Sequence, residues 1–140
     1  MKVKEIMTRT PAVCNEDTPL QEIARTMVGR DCGSLPVVGT SGTGVAGIIT
    51  DRDMVVRAVA EGKNPLTLSA RDCMTAPAIA IRDDASLDEC THLMESNKIR
   101  RVPVIDSSGS LVGIVAQADI ARSASRKDAG ELVRDVSEPG

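Results

Sequence analysis

Phenylalanine, tyrosine and tryptophan are all missing from this chain of 140 residues. A core without rings has to be assembled from Val, Ile, Leu, Met and Ala, and a flat ligand has to be gripped by aliphatic side chains instead of stacked on aromatics. The same lack removes the platforms on which single-stranded nucleic acid is held. Charge points the same way. The 17 basic and 20 acidic residues leave a net charge of −3 with no long run of one sign, so neither a polyanion-binding surface nor an acidic tail stands out. No apolar run approaches the roughly 18 residues of a membrane span. Met1-Lys2-Val3-Lys4-Glu5 leads into no signal-peptide core. The expectation is a cytoplasmic protein with no nucleic-acid and no membrane partner. Cys14, Cys32, Cys73 and Cys90 form no CxxC pair and have only His92 beside them, so buried free thiols are expected and no metal site.

What is present is a pattern written twice. Ile6-Met7-Thr8 returns as Cys73-Met74-Thr75, and Leu35-Pro36-Val37-Val38 returns as Val102-Pro103-Val104-Ile105, both displaced by 67. Gly47-Ile48-Ile49 matches Gly113-Ile114-Val115, and Asp53 matches Asp119, at a displacement of 66. One residue is therefore deleted from the second hairpin. The repeats run over residues 3–62 and 70–127, with a linker at 63–69 and a tail at 128–140. Each repeat is too short to bury a core comfortably alone, so the two should pack on each other.

Within a repeat the order reads strand, helix, strand, strand, helix. Ala12-Val13-Cys14 is a short strand. Thr18-Pro19-Leu20-Gln21 then reads as a helix start with Thr18 as cap, Pro19 in the first turn and Gln21 closing a capping box. Leu20, Ile23, Ala24 and Met27 give that helix one apolar face. Leu35–Val38 and Val45–Thr50 form a hairpin across a Gly-rich turn. The second repeat restates the order with a strand at Ala78–Ile81, a helix over Leu87–Ser96, a hairpin around Asp106–Gly109, a strand at Leu111–Ala116 and a helix from Asp119. In Gly47-Ile48-Ile49-Thr50-Asp51-Arg52-Asp53 a strand turns into a helix. The free amides of such a turn attract phosphate, and a neighbouring carboxylate can accept from sugar hydroxyls. The bland alternative is that Thr50 and Asp53 only cap the helix.

The doubled Met-Thr entry, the Pro-Val hairpin strand and the Gly-φ-φ turn ending in Asp resemble a pair of CBS (cystathionine β-synthase-type) motifs over residues 3–127. That resemblance implies an α+β fold of two βαββα units related by a pseudo-twofold axis. It also implies AMP, ATP or another adenosyl ligand in two clefts between the units, and a disc-like homodimer. Carried onto this chain, it places a phosphate-facing hydroxyl at Thr50 and a ribose-binding carboxylate at Asp53. In the second repeat it keeps Asp119 but meets Ala116 where the hydroxyl belongs. Arg100 and Arg101 stand where some members carry phosphate-reaching cations; the corresponding residues in repeat 1 are Gly33 and Ser34. The adenine is expected between Pro11, Val13, Pro77 and Ile79 on one side and Leu35, Pro36, Val102 and Pro103 on the other.

Three function classes follow. A sensor that binds an adenosyl ligand and signals occupancy to a regulated partner uses the most residues. A scaffold on the same fold without nucleotide binding is favoured by Ala116. An enzyme finds no support, because no nucleophile with an aligned base and no pair of acid–base carboxylates stands out. Cys32, in the loop before the hairpin, is the one thiol placed for a redox role. Leu132, Val133 and Val136 would give the tail a short amphipathic helix whose apolar face needs a partner.

Overall fold

A computed structural model describes residues 1–39 and 44–126. The first repeat contributes strands β1 (Thr8–Arg9) and β2 (Cys14–Asn15), helix α1 (Leu20–Arg30), strands β3 (Ser34–Val38) and β4 (Val45–Thr50), and helix α2. Helix α2 runs Asp51–Met54 and widens into a π turn over Val55–Val59, in which the Ala60 amide donates to the Val55 carbonyl at 2.8 Å. The second repeat follows with α3 (Ala70–Cys73), β5 (Ile81–Arg82), α4 (Leu87–Asn97), β6 (Arg101–Ile105), β7 (Leu111–Ala116) and α5 over 117–126. This is a mixed α+β architecture of two βαββα-like units.

The apolar stripe of α1 is buried through Leu20, Ile23 and Met27, and that of α4 through Cys90 and Met94. Both helices end on a left-handed residue, Asp31 at φ 49° and its repeat partner Lys98 at φ 54°, which turns the chain sharply into the hairpin. β3 and β4 pair antiparallel with Ser34 opposite Thr50 and Leu35 opposite Ile49; β6 and β7 repeat this with Arg101 opposite Ala116 and Val102 opposite Val115. Strand alternation sends Leu35, Val37 and Ile49 into one core, and Val102, Val104 and Val115 into the other.

The repeats are joined by exchange. β1, from the start of repeat 1, pairs antiparallel with β7 of repeat 2, Thr8 opposite Ile114 and Arg9 opposite Gly113. Thr75 does the converse and bridges to Ile48 of β4, with Ile48 and Thr75 trading amide–carbonyl bonds of 3.1 and 2.8 Å. The residues just before each crossing follow suit. Val3 and Met7 complete the second core, while Ala70 and Cys73 complete the first. Burying one valine fully contributes about 1.5–3 kcal/mol, so Val3 alone ties the two units strongly. The crossings need glycine: a Cβ on Gly47 would lie 2.5 Å from the Thr75 carbonyl oxygen, and one on Gly113 would lie 2.8 Å from that of Thr8.

Several local expectations shift. Thr18 does not cap α1. Its Oγ1 accepts from the Asn15 amide at 3.0 Å, Pro19 holds the N-cap position with extended backbone, and the Leu20 amide is satisfied by the linker carbonyl of Leu68 at 3.0 Å. A tertiary partner thus replaces the local one, and Gln21 closes no box. The first strands lie later than Ala12–Cys14 and Ala78–Ile81, at Cys14–Asn15 and Ile81–Arg82, because the residues before them carry the chain from one sheet to the other. The last helix starts at Gln117, two residues before Asp119, and α4 extends one residue beyond Ser96. The amphipathic tail expected at 128–140 lies outside the described residues, as does most of the first hairpin turn.

Candidate functional site

Thr50 ends β4 and caps α2. Its Oγ1 accepts from the Asp53 amide at 3.0 Å, while Asp53 Oδ2 accepts from the Thr50 amide at 3.0 Å. This reciprocal box satisfies two amides of the helix start and holds both half-buried side chains in fixed rotamers. The capping role is therefore real. It also leaves the second carboxylate oxygen free of backbone duty: Asp53 Oδ1 faces the Thr75 hydroxyl, a long contact of 3.5 Å, at the point where repeat 2 crosses β4. Arg57, one turn further along α2, donates to the carbonyls of Cys73 and Met74 at 3.1 and 2.6 Å and so pins that crossing in place. A carboxylate oxygen and a hydroxyl meet there, beside a crossing whose backbone groups are already paired.

The second turn keeps half of this. Asp119 Oδ2 accepts from the Ala116 amide at 2.8 Å, so the carboxylate still caps its helix. Ala116 returns no hydroxyl. Asp119 Oδ1 is engaged by the Arg122 guanidinium, one turn along α5, where α2 has Val56. Nothing in the repeat comparison singled out Arg122; only its spacing of three residues from Asp119 along a helix pointed to it.

Arg100 and Arg101 are exposed at the start of β6. The Arg100 carbonyl accepts from the Gln117 amide at 2.7 Å, just as that of Gly33 accepts from Asp51 at 3.0 Å, which fixes the equivalence of the two turns. Both arginines line a cavity of about 450 Å³ with Gln117, Ala118 and Ala121. Arg101 also reaches across. Its Nη2 lies 3.5 Å from the point a Cβ on Gly33 would occupy, and Asp51 Oδ2 lies 3.1 Å from the same point. Asp51 was missed at the sequence level because it sits between the two motif positions, Thr50 and Asp53. The absence of a side chain at Gly33 leaves room there for both groups.

The apolar candidates divide. Pro11 and Val13 lie on the crossing that leaves β1 beside β7, and Pro77 and Ile79 on the crossing that leaves Thr75 beside β4. Val13 lines a small cavity with Cys14, Asn15, Thr18 and Glu22 of its own repeat. Val13 and Ile79 are exposed, at 44% and 36%. Pro36 and Pro103 are fully buried and alternate away from the helix-facing core residues, toward the opposite face of each sheet. Leu35 and Val102 belong to the cores under α1 and α4, on the face of each sheet opposite Pro36 and Pro103. Cys32 is half-buried and packs against the first core, and all four thiols are free. Burial, with Glu22 nearby, pushes the Cys14 thiol up to about 11, so it is protonated and unreactive at neutral pH.

A family model for the CBS domain matches residues 3–59 and again 70–126. The chain belongs to the CBS domain family. Hypoxic response protein 1 of Mycobacterium tuberculosis is 34% identical over 136 residues, spanning 97% of this chain and 94% of that one. Its crystal structure, with two coordinated zinc ions, superposes with a TM-score of 0.78 at 35% identity over 87% of this chain and 98% of that one. The CBS domain pair of MJ0100, in complex with 5-methylthioadenosine and S-adenosyl-L-methionine, has a TM-score of 0.80 at 29% identity, covering 91% of this chain and 98% of that one. CBSX2 in complex with AMP has a TM-score of 0.76 at 25% identity, covering 91% and 98%. Among the described residues no group of three or more His, Cys, Asp or Glu is placed to hold a metal ion, and no helix is long and apolar enough to cross a membrane.

Proposed function

We propose that this CBS pair is a cytoplasmic, non-enzymatic sensor that binds an adenosyl ligand between its repeats and reports occupancy to a regulated partner, working as a homodimer. The single observation that carries the reading is the split use of Asp53: one oxygen caps α2 and the other is turned to the crossing of the other repeat. A ribose seated there would give its 2′- and 3′-hydroxyls to the free oxygen, with Thr50 at the helix start beside the phosphate or equivalent group. Ligand binding would then bear on both repeats at once, because the wall opposite Asp53 belongs to the other unit. The complexes of MJ0100 and CBSX2 support an adenosyl ligand as the class. Arg100 and Arg101 are the cations assigned to an anionic end of the ligand, with Pro11, Val13, Pro77 and Ile79 against the base and Pro36 and Pro103 behind it.

A thermal-shift panel of AMP, ADP, ATP, S-adenosylmethionine and NAD tests this. A ligand that binds only the folded chain stabilises it by about 2.7 kcal/mol at a hundred times its dissociation constant. No shift with any compound would leave the second reading, a scaffold that binds no nucleotide. Ala116 and the Arg122–Asp119 contact favour that reading for the second cleft.

A further inference from the structure

Arg57 has a definite task in the first unit, and its counterpart in the second is too short to perform it. The guanidinium of Arg57 donates through Nη1 to the carbonyls of Cys73 and Met74, at 3.1 and 2.6 Å. The matching position in repeat 2 is Ser123, and the matching carbonyls are those of Ile6 and Met7. The backbone is the same in both places. The Met74 amide donates to the Ala70 carbonyl at 2.8 Å and the Met7 amide to that of Val3 at 3.0 Å, while Asp72 and Glu5 cap the Ser69 and Lys2 amides. Ser123 is buried, and its hydroxyl donates to the Met1 sulfur at 3.2 Å. Among the described residues the Ile6 and Met7 carbonyls accept no hydrogen bond. A cavity of about 490 Å³ opens here, lined by Met1, Glu5, Ile6, Ser123 and Arg126.

We propose that this cavity binds a small guanidino acid, a ligand with a guanidinium at one end and a carboxylate at the other. The guanidinium would take the place that Arg57 fills in repeat 1 and Ser123 leaves open in repeat 2. Three features select that chemistry. Two carbonyls close enough to share one nitrogen suit a group rich in N–H donors, as Arg57 itself demonstrates. Glu5 uses one carboxylate oxygen on the Lys2 amide, and its charge offsets that of the incoming cation. Arg126 stands one turn beyond Ser123, where repeat 1 has Ala60, and only its Nε is engaged among the described residues, on the Arg122 carbonyl at 3.4 Å. Its terminal nitrogens are the partner for a carboxylate, and its charge disfavours a ligand that is cationic alone. None of the five lining residues belongs to the set assigned to the adenosyl ligand, so this inference goes beyond that reading and does not rest on it.

Titration calorimetry on the full chain without nucleotide tests the proposal with three probes. L-Arginine is expected to bind at one per chain. Agmatine, which lacks the carboxylate, and L-citrulline, which lacks the side-chain charge, should each bind about tenfold more weakly or worse, the usual cost of losing a charged hydrogen bond. Ser123→Arg supplies from within the group that Arg57 supplies in repeat 1, and should abolish L-arginine binding while keeping the circular dichroism spectrum. Arg126→Gln, at an exposed position that tolerates change, should erase the difference between L-arginine and agmatine, and it decides the matter even where Ser123→Arg fails to fold. No heat with L-arginine overturns the site. Undiminished binding to a folded Ser123→Arg chain overturns its place, and a preference for L-arginine over agmatine that survives Arg126→Gln overturns the carboxylate contact. Asp53→Asn should leave L-arginine binding unchanged; its loss in that variant overturns the separate cavity by moving the compound to the adenosyl cleft.

Discussion

The two strand-to-helix turns share one backbone and have diverged in what they hold. At the first, Thr50 and Asp53 satisfy each other's amides, and the remaining oxygen of Asp53 meets only a hydroxyl. At the second, Asp119 caps alone, and its remaining oxygen is taken by Arg122. A helix start needs one good acceptor, and both turns keep it. The fold therefore tolerates loss of the hydroxyl, whereas a ligand that uses the free carboxylate oxygen does not tolerate a guanidinium on it. Capping accounts for an Asp at both turns, but it does not account for the oxygen that Asp53 leaves unused by its helix.

The largest expected effect tests the crossings rather than the turns. Gly47→Ala drives a methyl to 2.5 Å from a backbone oxygen, while at Gly113 the backbone oxygen is 2.8 Å away and the nearest atom is the flexible Met7 sulfur at 2.6 Å. Urea unfolding should show a loss of about 1–3 kcal/mol for Gly47→Ala and a smaller one for Gly113→Ala. Equal losses would mean the two crossings are equally rigid.

At the turns, Asp53→Asn keeps an acceptor for the Thr50 amide and removes the second carboxylate oxygen. Titration calorimetry with whichever adenosyl compound shifts the melting temperature should show a loss of about tenfold or more in affinity, roughly 1.4 kcal/mol. Asp119→Asn should cost less, because Arg122 already competes for that carboxylate. A larger loss at Asp119 would reverse the ranking of the clefts.

The capping asymmetry gives the next step down. Thr50→Ala should destabilise by about 1 kcal/mol and Ala116→Thr should stabilise by a fraction of that, both read from denaturant midpoints.

The smallest effect concerns the cores. Repeat 1 buries Cys14 where repeat 2 buries Ile81, and burial raises the Cys14 thiol from 9.0 to about 11. A thiol whose folded value lies above its unfolded one stabilises fully below pH 9, and the contribution is lost as pH rises through the folded value. Cys73 and Cys90 are raised by burial as well. Melting temperature should fall between pH 9 and 11, and Cys14→Val should make that fall shallower.

Much of this was legible in the chain. The doubled Met-Thr, Pro-Val and Gly-φ-φ patterns carried the repeat, because each reports a requirement of the backbone: a crossing, a buried strand and a strand passing too close for a Cβ. The α1 stripe of Leu20, Ile23 and Met27 was plain from its period. What was not legible is what depends on a distant partner. Thr18 looked like a cap, yet the Leu68 carbonyl satisfies the helix instead. Leu35 looked like a cleft residue because it neighbours Pro36, but alternation sends the two to opposite faces. Arg101 was placed as a phosphate-reaching cation, and its guanidinium lies 3.5 Å from the point a Cβ on Gly33 of the other unit would occupy, an approach no local pattern records.

The exchanged entry segments have one more consequence. A unit whose core is finished by residues from the other unit, and which returns the favour, is what two separate chains make when they swap identical arms. Here the linker at 63–69 holds the two arms at an effective concentration no free pair of chains reaches. The chain is in this sense an arm-swapped pair joined in tandem, and the joining is what permits asymmetry: halves on one chain need not be identical, and here one carries Thr50 where the other carries Ala116, and Val56 where the other carries Arg122.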